Sequence, residues 1–77
     1  MTEAPDGVVK RSVTIAGHRT SVSLEGPFWS ALGRIAKARG LSVQALVAEI
    51  DGSRGRNNLS SAIRVYVLET VSRSGGG

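Results

Sequence analysis

The period of hydrophobic and polar positions changes along this 77-residue chain. From Lys10 to Leu24 apolar and polar residues alternate, the signature of strands with one face toward a core. The alternation breaks at Ala16-Gly17-His18, a turn signal, so two short strands are predicted over residues 10–15 and 19–24. In the first, Arg11, Val13 and Ile15 share one face, and Lys10, Ser12 and Thr14 share the other. In the second, Thr20, Val22 and Leu24 point one way while Arg19, Ser21 and Ser23 point the other. One face is apolar enough for a core, and the opposite face is small, polar and cationic.

Beyond Glu25-Gly26 the apolar spacing lengthens to three and four. Pro27 suits a first helical turn, where its missing N–H is not needed. Phe28, Leu32, Ile35, Ala36 and Arg39 then mark one helical face, with Trp29 and Ala31 beside it. Gly40 is expected to end this helix as a left-handed cap, with Leu41 packing back on it. Ser42 is a good N-cap for a second helix, whose face is Val43, Leu46, Val47 and Ile50 and which closes at Asp51-Gly52. A polar loop over residues 52–58 follows, and Asn57 or Asn58 caps a third helix striped by Leu59, Ala62, Ile63, Tyr66 and Thr70, with Val67 alongside, fading near Arg73. Residues 1–9 carry Pro, Gly and acids without periodicity and read as a disordered arm; residues 74–77 read as a flexible tail. One domain is expected over residues 10–73.

Composition narrows the function. With no cysteine and one histidine, disulfide scaffolds, zinc fingers, thiol nucleophiles and His-based triads drop out, and neither a metal nor a cofactor is expected. No carboxylate pair or nucleophile dyad suggests an enzyme. The N-terminus lacks the basic-then-apolar order of a secretory signal, and the longest apolar runs, Ala45 to Ala48 and Val65 to Leu68, are far below the roughly 20 residues that span a bilayer. A cytoplasmic protein with no membrane association is expected.

The net charge of +4 is unevenly spread. Residues 10–39 contribute +5, from Lys10, Arg11, Arg19, Arg34, Lys37 and Arg39 against Glu25, whereas residues 40–52 contribute −2 from Glu49 and Asp51. Eight of the ten cations are Arg, whose planar fork matches phosphate and guanine edges. A polyanionic partner fits, although such a balance also serves solubility alone.

A chain this short often completes its core by oligomerising, and an unpaired half-apolar strand invites a second copy. Residues 19–24 of two chains, paired antiparallel across a two-fold axis, would bury Thr20, Val22 and Leu24 and present Arg19, Ser21 and Ser23 on a ribbon that fits the major groove. The alternative ribbon is residues 10–15, with Lys10, Ser12 and Thr14 as readers.

The run Arg19-Thr20-Ser21-Val22-Ser23-Leu24, the helix from Phe28 to Arg39 and the Gly40-Leu41-Ser42 step into a second helix resemble the ribbon-helix-helix fold of the Arc and methionine-repressor superfamily, over residues 19–52. The segment Gly17 to Ser21, Trp29 and a third helix starting Asn58 to Arg64 look closest to a bacterial branch with an added N-terminal strand and C-terminal helix. The resemblance implies a mainly α fold with a short β ribbon in an intertwined homodimer, with no cofactor. It implies double-stranded DNA as partner, base contacts by Arg19, Ser21 and Ser23, and a phosphate held at the N–H groups of Ser42 and Val43. Lys10, Arg11, Arg54 and Arg56 are further candidates for phosphate. Thr20, Val22, Leu24, Phe28, Leu32, Ile35, Leu46, Val47 and Ile50 would form the dimer core. A transcriptional regulator, a repressor in type, follows from this, with tetramers on DNA left open. The competing class is a dimerising adaptor or antitoxin-like module that docks a protein partner through residues 59–73. His18 reads as a turn or packing residue, Trp29 as core or interface, and Asn58-Leu59-Ser60 as a helix cap rather than a glycosylation site.

Overall fold

The computed structural model describes residues 7–75. Two antiparallel strands, β1 (Val8–Ile15) and β2 (His18–Glu25), form one hairpin, and three helices follow: α1 (Gly26–Ala38), α2 (Val43–Ser53) and α3 (Leu59–Gly75). Val8 and Val9, assigned by their sequence to an N-terminal arm, are the first two residues of β1, paired with Glu25 and Leu24. Tertiary anchoring explains this shift: the indole N–H of Trp29 donates to the Val9 carbonyl oxygen at 2.9 Å, and Gly26 N–H to the Gly7 carbonyl oxygen at 3.0 Å. Residues 1–6 and 76–77 lie outside the described residues, while 74 and 75 belong to α3 rather than to a tail.

The hairpin register pairs Ile15 with His18 around the two-residue turn Ala16-Gly17. Both turn residues have positive φ, 53° and 82°, as a type I′ turn requires. Glycine adopts this freely, but alanine in the left-handed region is strained by roughly 1–2 kcal/mol. Asparagine tolerates that region better. Ala16→Asn is therefore expected to stabilise the protein by about 0.5–1 kcal/mol in urea denaturation; a neutral or destabilising result would contradict the turn geometry.

Each helix boundary has a local cause. Gly40, at φ 73°, ends α1: its N–H donates to the Lys37 carbonyl oxygen and the Leu41 N–H to that of Ala36, at 3.1 and 2.8 Å. Ser42 Oγ accepts the Ala45 N–H at 3.0 Å and Asn58 Oδ1 accepts the Ser61 N–H at 2.8 Å, capping α2 and α3. α2 runs through Gly52 to Ser53, past the expected stop, because the Ser53 hydroxyl donates to the Ile50 carbonyl oxygen and Arg54 closes on Asp51.

The core lies between the inner face of the hairpin and the three helices. Val13, Val22, Leu24, Trp29, Leu32, Leu46, Val47, Ile50, Ile63 and Val67 are buried, with Phe28, Ile35 and Tyr66 packed partly against them. Leu24, Leu32, Leu46 and Val47 reach 0% exposure within one chain. Most of the apolar residues expected at a dimer core thus pack into a core inside a single protomer, where Val13 of β1 and Ile63 and Val67 of α3 join them; Thr20 is outside that cluster. Among the described residues no helix is long and apolar enough to cross a membrane.

Candidate nucleic-acid interface

Cross-strand partners in an antiparallel pair point to the same face. The register sets Lys10 opposite Ser23, Ser12 opposite Ser21 and Thr14 opposite Arg19. Both candidate reader sets therefore lie together on the outer face of one hairpin, and all but the half-buried Ser23 are exposed. The inner face carries the pairs Val13 with Thr20, Arg11 with Val22 and Val9 with Leu24. Arg11 is thereby separated from Lys10: its guanidinium carbon sits 5.2 Å from the centroid of the Trp29 ring, a cation–π distance.

Hydrogen bonding alternates along each strand, so only every second residue turns its N–H and C=O toward the free edge. On β1 Thr14 is such a residue, and its N–H donates to Gln44 Oε1 in the first turn of α2 at 3.0 Å. On β2 the corresponding residues are Arg19, Ser21 and Ser23, and among the described residues none of their backbone groups has a hydrogen-bond partner at that edge. α2 thus closes the β1 edge at Thr14, whereas Lys10 and Ser12 keep edge groups without a partner among the described residues; on β2 all three positions are open.

The Gln44 bond also places the N-terminus of α2, with Ser42 and Val43, beside β1. Free N–H groups there carry the positive end of the helix dipole. At the turn end of the hairpin, Arg54 lines a shallow hollow with Ile15, His18 and Ser21. Its guanidinium is engaged, however: Nε donates to Asp51 Oδ1 and Nη1 to the Asn57 carbonyl oxygen, both at 2.6 Å. Arg56 is exposed in the same loop and keeps its reach. Of the residues expected to contact phosphate, Lys10 lies on the outer face, Ser42 and Val43 lie near the β1 edge and Arg56 is exposed in the loop before α3, whereas Arg11 and Arg54 are turned to intramolecular partners.

Two ion pairs, one half-buried and one exposed, brace this arrangement from behind. Arg64 of α3 makes a two-pronged contact with Glu25 at the end of β2, at 2.9 and 3.3 Å. Arg39 does the same to Glu49 at 2.7 and 3.2 Å and also donates to the Tyr66 hydroxyl at 3.2 Å. Neither bridge was visible in the sequence, since the partners are 39 and 10 residues apart. The Arg64 hydrogen bond holds the Glu25 carboxyl below its ordinary value of 4.5, and the Arg39 hydrogen bond does so for Glu49. The ionised forms thus favour the folded state; their contribution is complete above about pH 4.5 and fades as pH falls through the lowered folded-state values. Carboxyl NMR titration is expected to place both midpoints below 4.5, with the Glu25 midpoint moving back up in Arg64→Ala. A Glu25 midpoint unmoved by that substitution would rule out the pairing.

A family model for the ribbon-helix-helix domain matches residues 8–71, from the start of β1 through most of α3. The chain belongs to the ribbon-helix-helix family. The match includes the hairpin and the third helix, so in this protein the ribbon-helix-helix unit comprises both strands and all three helices. Family members are generally DNA-binding transcription regulators. The fold is also similar to the solved structure of an uncharacterized protein from Bordetella pertussis Tohama I, with a TM-score of 0.77 and 34% identity over 92% of this chain. The alignment spans 62% of that chain's length. No curated protein sequence matches the chain.

Proposed function

We propose that this ribbon-helix-helix protein is a homodimer that binds double-stranded DNA sequence-specifically by setting the outer face of its ribbon in the major groove, and that it represses transcription in the bacterial cytoplasm. The observation that carries this is β2: one strand combines a polar Arg-Ser-Ser face, exposed at Arg19 and Ser21, with an edge at which these residues' backbone groups have no partner among the described residues. A second copy paired antiparallel along that edge satisfies those groups and doubles the polar face.

Width then assigns roles within the face. Strands lie about 4.8 Å apart and the major groove is about 12 Å wide, so it admits two strands and not four. In a sheet ordered β1, β2, then β2 and β1 of the second copy, the central pair enters the groove. Arg19, Ser21 and Ser23 reach base edges, Arg19 toward guanine O6 and N7. Lys10, Ser12 and Thr14 lie outboard, with the α2 N-terminus beyond them, and face the phosphates. Affinity comes mainly from the cations and specificity from the central strand.

The test is fluorescence anisotropy of duplex fragments across a salt series. Binding whose logarithm falls linearly and steeply with log salt is expected, with some fragments bound far more tightly than others at fixed salt. Weak binding insensitive to salt would remove DNA as the partner.

A further inference from the structure

The third helix is apolar on two sides. Its inner side, with Leu59, Ile63, Tyr66 and Val67, packs into the core. On the other side Ser61, Val65, Leu68 and Ser72 are all exposed, and Leu68 at 57% and Val65 at 52% are the most exposed large hydrophobic side chains among the described residues. Their spacing of four, three and four residues puts them on one straight seam along the helix, as in helices that pack against a neighbour on that side. Val71, 49% exposed, lies beside the seam.

We infer that a second copy of this chain covers the seam, with its α3 lying antiparallel to the first. The proposal rests on the homodimer proposed above and adds the surface that holds it together. The spacing four, three, four, with Ser at both ends and a large apolar residue at each inner position, reads alike in both directions. An antiparallel copy therefore sets Val65 against Leu68 in two central layers and Ser61 against Ser72 at the ends, which is the self-complementarity a two-fold interface demands. The flanks are compatible: Arg64 falls beside Val71 and Glu69 beside Ala62, so no like charges meet. A second copy is also what the apolar area calls for. A specific dimer buries at least about 1,000 Å² in total. Val22 and Leu24 of β2 are already at 1% and 0% exposure inside one chain, so pairing at the ribbon edge adds backbone hydrogen bonds and little apolar surface. α3 packs against β2 and is tied to it by Arg64 and Glu25, so the helix that carries the seam is held on the strand whose edge the second copy pairs with.

Sedimentation equilibrium of the full chain and of Leu68→Glu tests the seam. The wild type is expected to be dimeric at micromolar concentration, and the variant to dissociate at least tenfold more readily while keeping its circular dichroism spectrum. The chain has no cysteine, so a second experiment fixes the alignment. Val65→Cys and Leu68→Cys proteins, mixed and oxidised, are expected to form the mixed disulfide dimer in excess of the statistical yield. A wild-type dimer that Leu68→Glu leaves intact would overturn the seam, leave the homodimer standing and assign α3 to another protein. A mixed disulfide at no more than its statistical yield would overturn the antiparallel alignment. A monomeric wild type would overturn the homodimer, and the seam with it.

Discussion

Leu32→Ala is expected to cost about 2–5 kcal/mol and to leave much of the protein unfolded at physiological temperature. Leu32 is fully buried in the cluster that joins the hairpin to the helices, at 0% exposure, and the smaller side chain leaves a cavity there. Domains are stable by roughly 0.05–0.15 kcal/mol per residue, so one such cavity consumes a large share of the total for a chain of 77 residues. Because the core closes within one protomer, the loss measured by urea denaturation is expected to be the same at low and high protein concentration. A loss below about 1 kcal/mol, or one that disappears on concentrating the protein, would mean that Leu32 is buried chiefly by a second chain.

Arg19→Ala is expected to weaken binding to a preferred duplex by about 1–3 kcal/mol per half-site and to relax preference at one base position, while binding to random duplex changes much less. Lys10→Ala, one strand further out on the same face, is expected to act differently. It weakens all duplexes alike and lowers the slope of log affinity against log salt by about one for each phosphate that the lysine no longer neutralises. The contrast follows from the register: Lys10 and Arg19 share a face but stand on β1 and β2, the outboard and the central strand of the proposed four-stranded sheet. Anisotropy of both variants on preferred and random duplexes separates the two roles. Equal losses on both duplexes for Arg19→Ala would remove it from base reading.

Local chemistry made much of the fold legible. Gly40-Leu41-Ser42 is both a helix stop and a helix start, and the structure uses each residue in that way. Asn58 rather than Asn57 caps α3, a choice between equals that only packing decides. The start of β1 was hidden because Pro5, Asp6 and Gly7 resemble an arm, whereas the group that holds Val9 in the strand is the indole of Trp29, 20 residues away. The polar face was legible as two alternatives and not as one surface. Its signal lay in the two-residue turn, since pairing Ile15 with His18 fixes every later pair and brings Lys10, Ser12 and Thr14 beside Ser23, Ser21 and Arg19. The closing of the β1 edge at Thr14 was not legible at all, because it depends on Gln44 reaching across 30 residues. The same holds for Arg11 and Arg54, whose charges read as available in the sequence but are occupied by Trp29, Asp51 and the Asn57 carbonyl in the fold.

The most direct measurement is a backbone amide NMR titration of the protein with a short duplex at low salt. The outer face of the ribbon is expected to respond first and most, at Lys10, Ser12, Thr14, Arg19, Ser21 and Ser23, joined by Ser42 and Val43 at the start of α2 and little changed in the core-facing residues Val13 and Val22. Shifts confined to α3, or none on the ribbon at saturating duplex, would contradict the account.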